Sequence, residues 1–329
     1  MTLNIVSPGP LTTVQDFGRF GHQAEGYPEC GACDKYALLC GNGECPHMAG
    51  LEYTLAGPTL RADDYTLVAL TGGAVEPKVN GKRVNMFEPL LLAPGDTLEI
   101  GMLVSGLRGY LAVFGGFDIH PVLGSRSTDL KCHIGGLNGR ALKAGDVLPV
   151  LRAFELPQER FRPLQKRVRA AALEDWALTT LTPHGFIGAQ KFPLLRVVLG
   201  PQDDAFTELG AMTFLSSVYT LTPEFDRMGC RLDGELIEHI KDGNIISDGI
   251  AFGAIQVPSA GKPIIMLADR QTTGGYTKIA NVISADFRIL AQLKAGDRVR
   301  FEKVSITTAQ EALLAQRAAL RCLRGAMNR

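Results

Sequence analysis

Apolar positions along the chain fall in short runs. Thr66–Leu70, Thr97–Ile100, Tyr110–Phe114, Leu195–Leu199, Ile264–Leu267 and Val299–Phe301 are each of strand length. Most are followed by turn residues, which predicts strands. Val79-Asn80-Gly81-Lys82 carries the Asn-Gly pair of a tight hairpin, where both central positions must accept positive φ. A Gly-Asp turn feeds a strand at Gly95-Asp96, at Gly145-Asp146 and at Gly296-Asp297. Both residue types tolerate turn geometry, and the recurrence in both halves suggests two similar β units.

Helices are predicted to be few. Asp34–Gly41 reads as a short helix capped by Asp34, and Asp203–Leu215 as another. At the C-terminus, Thr308-Ala309-Gln310-Glu311 has the pattern of a capping box. Leu313, Leu314, Ala318, Leu320 and Leu323 follow it, and Arg317, Arg321 and Arg324 share a polar face. The fold class is therefore mostly β, with a few short helices and a C-terminal helix. Arg152–Gly188 is richer in charge and poorer in glycine, and it holds the only tryptophan, Trp176. It reads as a connector. The expected organisation is a β domain over 1–155, a connector over 156–190, a second β domain over 191–305 and a helix over 306–329.

Composition narrows the function. In 329 residues, Lys+Arg and Asp+Glu both total 34, so the formal net charge is zero. Binding to nucleic acid or to an anionic membrane wants excess positive charge and is not expected. Aromatics at 7% argue against a base-stacking platform. No apolar run reaches the ~18–20 residues of a membrane helix. The N-terminus lacks the layout of a signal peptide, so a cytoplasmic location is expected. Cys30, Cys33, Cys40 and Cys45, with His47 nearby, tempt a zinc reading. Their spacing fits a zinc site poorly, and no metal site is expected. There is neither a Gly-x4-Gly-Lys-Ser/Thr phosphate loop nor a Gly-x-Ser-x-Gly nucleophile elbow.

Two stretches carry candidate chemistry. In Gly124–Asp129, Arg126 can grip a planar oxyanion with two parallel hydrogen bonds, and Ser127 and Thr128 add hydroxyls. The competing reading is a polar turn with Arg126 paired to Asp129. The denser stretch is Asp242–Tyr276. It runs through Ser247-Asp248-Gly249 and Gln256 to the strand Ile264–Leu267, then to Asp269-Arg270-Gln271-Thr272-Thr273-Gly274-Gly275-Tyr276. Polar side chains at a strand end, followed by glycines, suit a small-molecule site. Asp269 is the expected base or acceptor, and Arg270 the carboxylate anchor. Gln271, Thr272 and Thr273 suit an amide or ureido group. Here the competing reading is a structural ion pair of Asp269 with Arg270 or Arg227. Asp226-Arg227-Met228-Gly229 is a further candidate.

These residues also carry a resemblance. Pro8–Arg19, Gly41-Asn42, Leu51-Glu52, Arg108–Gly116, Leu123–Thr128, Gly200-Pro201-Gln202, Asp226–Leu232, Gly253–Ser259 and Asp269–Tyr276 resemble the biotin-dependent carboxyltransferase-like family. That family is also called allophanate hydrolase subunit 2 and includes KipA-like proteins. The resemblance implies two cyclophilin-like β barrels. It implies a place as the C subunit of an ATP-dependent 5-oxoprolinase complex, beside a KipI-like B subunit and a LamB/YcsF-like A subunit. Such a complex opens 5-oxoproline to L-glutamate; ATP enters through the complex, and no covalently bound cofactor is expected. On this reading Asp269, Arg270 and Arg126 are catalytic, and Ser127, Thr128, Arg227, Gln256, Gln271, Thr272, Thr273 and Tyr276 bind a small amide or lactam. Asp242–Tyr276 would be half of a shared site, with Gly124–Asp129 as the other half. Two alternatives stand beside it. One is the carboxyltransferase component of a biotin-dependent urea or amide carboxylase. The other is a non-catalytic, KipA-like regulatory protein that binds a KipI-like partner.

Overall fold

A computed structural model describes residues 1–42, 48–151 and 192–327. The predicted connector 156–190 with Trp176 lies outside the described residues, as do Cys45 and His47. The chain is mostly β and divides into two units. The first comprises the described parts of Met1–Phe20, Cys30–Pro183 and Arg317–Arg329, and the second Gly21–Glu29 and His184–Gln316.

The first unit holds a 10-stranded sheet. Its main path runs Val147–Pro149, Thr2–Ser7, Ala56–Ala62, Thr97–Val113, Gly50–Thr54, Leu11–Gln15. The predicted runs Thr97–Ile100 and Tyr110–Phe114 are the two ends of one strand, Thr97–Val113. Its middle is largely exposed, and Gly101 and Gly106 both sit at φ 79 there. These glycines let one strand pair with Ala56–Ala62 at its start and with Gly50–Thr54 at its end. Exposure broke the apolar pattern, so the sequence reads as two runs. Alternate residues such as Leu98, Ile100, Leu111 and Val113 enter the core with Leu3, Leu51 and Leu70. The hairpin forms as predicted, with Asn80 at φ 51 and Gly81 at φ 77 between Lys78–Val79 and Lys82–Arg83.

The second unit holds an 8-stranded sheet, in the order Leu194–Leu199, Arg298–Lys303, Tyr219–Phe225, Gly229–Asp233, Ile264–Met266, Ala254–Val257, Thr273–Val282, Asn244–Gly249. Leu194–Leu199 also pairs with Thr273–Val282. That pairing closes the sheet into a barrel and leaves Asn244–Gly249 outside the ring. Leu195, Val197, Leu221, Ile255, Ile265 and Val299 fill the interior, where Phe214 stacks on Phe301 at 4.5 Å. Burying each such side chain is worth about 1.5–3 kcal/mol.

The Gly-Asp turns are the same clasp built three times. The glycine N–H of each donates to a neighbouring strand: Gly95 to Ala62 O, Gly145 to Ile5 O and Gly296 to Leu221 O, at 2.8–2.9 Å. The aspartate carbonyl accepts from that same strand residue, and the carboxylate accepts the N–H three residues back. The carboxylate bonds are Ala93 to Asp96 at 2.8 Å, Lys143 to Asp146 at 2.7 Å and Lys294 to Asp297 at 2.9 Å.

Two helix expectations need correcting. Asp203–Leu215 is not one helix. A short 3-10 turn over Asp203–Ala205 ends before Phe206, and the helix is Glu208–Ser216. Thr207 is its N-cap, extended at φ −66 and ψ 160, with its hydroxyl accepting from Gly210 N at 3.0 Å. The capping box does not start the last helix either. Helix Ile306–Met327 begins before it, because the Ser305 hydroxyl already accepts from Thr308 N at 3.0 Å. The Asp34 cap is as expected: its carboxylate accepts from Ala37 N at 2.9 Å at the start of helix Lys35–Asn42. No helix among the described residues is long and apolar enough to cross a membrane. No group of three or more His, Cys, Asp or Glu side chains suited to a metal ion occurs among them.

Candidate functional site

In the first unit, Gly124–Asp129 is wrapped around Asp16. The Asp16 carboxylate accepts from the hydroxyls of Ser125 at 2.6 Å and Ser127 at 2.5 Å, from Arg126 N at 2.6 Å and from Gly18 N at 2.9 Å. Thr128 donates its hydroxyl to Val14 O at 3.0 Å. Arg19, fully buried, donates to Val122 O and Ser127 O, each at 3.1 Å. Ser127 and Thr128 were expected to meet a ligand, yet both are 0% exposed with their hydroxyls engaged. A buried carboxylate needs such donors, and that need takes the hydroxyls away from a ligand. Arg126 is half-buried and donates Nε to Ile119 O at 2.8 Å. Asp129 Oδ1 accepts from the backbone of Lys131 and Cys132, at 2.9 Å each, and so closes its own turn. The organising pair, Asp16 and Arg19, lies within the Pro8–Arg19 motif, where sequence reasoning gives it no role. The signal available was two charged residues bracketing Phe17-Gly18 directly after a strand.

A second buried knot lies in the same unit. Glu52 Oε2 accepts from Cys33 N at 2.8 Å and from the Tyr110 hydroxyl at 2.7 Å, while Asp34 N donates to that hydroxyl at 2.8 Å. Arg108 Nε stands 3.9 Å from Glu52 Oε1, with both side chains 2% exposed. Burial, and then the Glu52 charge, push the Tyr110 phenol well above its ordinary value, so it stays a donor. The knot fixes where helix Lys35–Asn42 starts.

In the second unit, the polar run after strand Ile264–Met266 splits into separate tasks. Arg227 grips Asp269 with two hydrogen bonds, Nε to Oδ2 at 2.8 Å and Nη2 to Oδ1 at 2.9 Å. The backbone doubles the link, with Asp269 N donating to Arg227 O at 2.8 Å. This is the structural ion pair weighed against a catalytic Asp269. Arg270 is 6% exposed. It donates Nε to Ile250 O at 2.8 Å, Nη1 to Leu267 O at 3.3 Å and Nη2 to Glu29 at 2.6 Å. Expected as a carboxylate anchor for a ligand, it instead holds the carboxylate of Glu29 and so ties the segment Gly21–Glu29 to its own unit.

The groups that remain open lie on the outer face of the barrel. A pocket of about 470 Å³ has Gln256, Gln271, Ile264, Met266 and Met228 among its lining residues, with Asp226 and the Glu224–Arg231 ion pair also contributing. Gln256 and Gln271 thus line one pocket. Gln256 is 4% exposed, and its Nε2 has no hydrogen-bond partner among the described residues. Lys278 is opposite Gln256 in the register of the neighbouring strand. Its Nζ donates to Asp248 Oδ2 at 2.9 Å, and its backbone N to Gln202 Oε1 at 3.2 Å. Gln202 Nε2 is 3.5 Å from the same Asp248 oxygen. The Lys278 hydrogen bond, ahead of the Gly249 N–H, holds the Asp248 carboxyl below its ordinary value. Thr272 is half-buried, and Thr273 and Tyr276 are exposed on the same strand or its approach. Lys278 and Gln202 were missed. A lysine inside a Thr-Lys-Ile-Ala-Asn-Val strand, where the neighbours are buried, was the available signal.

A family model described as "Carboxyltransferase domain, subdomain A and B" matches residues 25–303. The C subunit of the Haemophilus influenzae 5-oxoprolinase is 35% identical over 313 residues, covering 93% of this chain and 93% of that protein. Its Escherichia coli counterpart, also a 5-oxoprolinase C subunit, is 35% identical over 94% of both chains. Among solved structures, K. lactis urea amidolyase matches with a TM-score of 0.85 and 29% identity over 98% of this chain. The match spans only 20% of that larger chain. These relatives are enzymes or components of enzymes. On the extent of the family match and the length-for-length similarity to the two bacterial proteins, this chain belongs to the family of carboxyltransferase domains with subdomains A and B.

Proposed function

We propose that this chain is one component of an ATP-dependent 5-oxoprolinase complex that opens 5-oxoproline to L-glutamate. The observation that carries this reading is the match of length as well as sequence to a 5-oxoprolinase C subunit, 93% of both chains for the Haemophilus influenzae protein. The pocket chemistry agrees with it. Two carboxamides, Gln256 and Gln271, line a small cavity with apolar Ile264 and Met266. Neutral donors and acceptors over an apolar floor suit a lactam ring. The partners on this reading are the KipI-like and the LamB/YcsF-like proteins.

ATP fits this pocket poorly. Glu224, Asp226 and Arg231 contribute to its lining, and two carboxylates against one guanidinium give a polyphosphate no net attraction. ATP is therefore assigned to the complex, where it would make the unreactive ring carbonyl electrophilic. This chain's residues orient the lactam and donate hydrogen bonds to it. Asp269, held through both oxygens by Arg227, positions the end of the strand rather than accepting a proton. Arg126, anchored through Nε on Ile119 O, is kept as the oxyanion-binding candidate of the first unit.

A second reading is favoured by the TM-score of 0.85 to urea amidolyase: a carboxyltransferase component of a biotin-dependent urea or amide carboxylase. Reconstitution separates the two. The purified chain with its two partner proteins is expected to convert 5-oxoproline to glutamate only when ATP is present. Carboxyl transfer from carboxybiotin to urea without lactam opening would establish the second reading. Tight binding to a KipI-like partner with neither activity would make the chain a regulatory protein.

A further inference from the structure

The least exposed cation of the second unit's polar strip has a solvent-exposed partner. The Lys278 side chain is 4% exposed, whereas that of Asp248 is 55% exposed. Lys278 belongs to a strand of the closed barrel, and its backbone is tied to Gln202. Asp248 belongs to Asn244–Gly249, the strand outside the ring, which is exposed at nearly every position. That strand's pairing is irregular between Asn244 and Asp248. A buried ammonium needs an anion close by at all times. Asp248 supplies one while keeping much of its own hydration, so its hold is easily exchanged.

A second group faces the same place. Asp248 pairs with Gly274 across the ladder. A Cβ on Gly274 would lie 2.8 Å from Gln256 Nε2 and 2.7 Å from Ile250 Cδ1. The glycine therefore lets Ile250 and the Gln256 amide pack directly against this strand, and that buried amide has no partner among the described residues. Lys278 is directly opposite Gln256, and directly opposed residues of an antiparallel pair project to the same face. A donor with no acceptor and a cation with a loosely held acceptor thus adjoin each other, and Gln256 joins them to the 470 Å³ pocket.

We propose that Lys278 and Asp248 form an exchangeable ion pair, in which the carboxylate of a bound small molecule displaces Asp248 from Lys278 while the Gln256 amide donates to the ligand. The site then selects a ligand that carries a carboxylate beside an amide. Its identification with the lactam substrate rests on the function proposed above; the exchange itself does not. Asp248 acts as a competitor for the site, which distinguishes it from a structural partner. Removing it tightens binding of a carboxylate.

Three probes separate the elements: acetate, 2-pyrrolidinone, and 5-oxoproline, which combines the carboxylate with the ring. Binding to the full chain is followed by NMR titration. Asp248→Asn is expected to tighten acetate and 5-oxoproline severalfold and to leave 2-pyrrolidinone unchanged. Lys278→Met is expected to weaken both carboxylates at least tenfold. Lys278→Arg, which keeps the charge, restores part of the acetate binding and covers the case in which the methionine variant does not fold. Carboxylate binding that is unchanged or weakened in Asp248→Asn overturns the exchange. Acetate binding that tightens in Asp248→Asn, in a chain whose complex fails to open 5-oxoproline, keeps the exchange and removes the lactam reading.

Discussion

Arg227 and Asp269 are joined by two parallel hydrogen bonds, at 2.8 and 2.9 Å, with side chains 6% and 10% exposed. Taking away one member of such a pair leaves a charge buried, which costs about 3–5 kcal/mol. Arg227→Met and Asp269→Asn are each expected to lower unfolding stability on that scale in denaturant titrations. An Asp269→Asn chain of unchanged stability but no turnover in the reconstituted complex would instead restore Asp269 to a chemical role.

Arg270 uses three nitrogens, on Ile250 O, Leu267 O and Glu29. Lysine cannot reproduce that fork. Arg270→Lys and Glu29→Gln should both raise amide hydrogen exchange in Gly21–Glu29, with the larger effect from Arg270→Lys. Protection of that segment equal to wild type would show that other contacts hold it.

The Glu52 knot makes a prediction for the first unit. Tyr110→Phe removes the hydroxyl that serves both Glu52 and Asp34 N. Leaving buried polar groups unpaired costs about 1–3 kcal/mol each. The melting temperature of Tyr110→Phe should fall, and the fall should shrink when Glu52→Gln is already present, because the two share one network.

Asp146 gives a pH dependence. Its hydrogen bond to Arg140, and then the Lys143 N–H, hold its carboxyl below the ordinary value. A carboxyl that is depressed in the folded state stabilises fully above its unfolded value of about 3.9 and loses that contribution as pH falls through the lower folded value. Acid unfolding should therefore start at higher pH in Arg140→Met than in wild type. Identical acid transitions would remove Asp146 from the acid response.

What was legible in the sequence was local. Asn80-Gly81 needs positive φ at adjacent residues, and only its own chemistry decides that. Each Gly-Asp clasp closes a carboxylate onto an N–H three residues back, and Asp34 caps a helix three residues on. The strand-end cluster was also visible, since polar residues and glycines after Ile264–Met266 contradict a plain core. The division of labour within it was not. Glu29 meets Arg270 across 241 residues of chain, Asp16 meets Ser127 across 111, and Asp248 meets Lys278 across 30. Nothing local marks such partners. A guanidinium or carboxylate reads the same whether it faces a ligand or a buried counter-charge.

The sequence by itself thus determined short strand runs and turns, because side-chain period and backbone preference act over a few residues. Only the tertiary structure decided which charges were spent on the fold. In the fold Arg227 pairs with Asp269 and Arg270 with Glu29, whereas the buried Lys278 is met by the exposed Asp248 and the Gln256 amide nitrogen keeps no partner among the described residues.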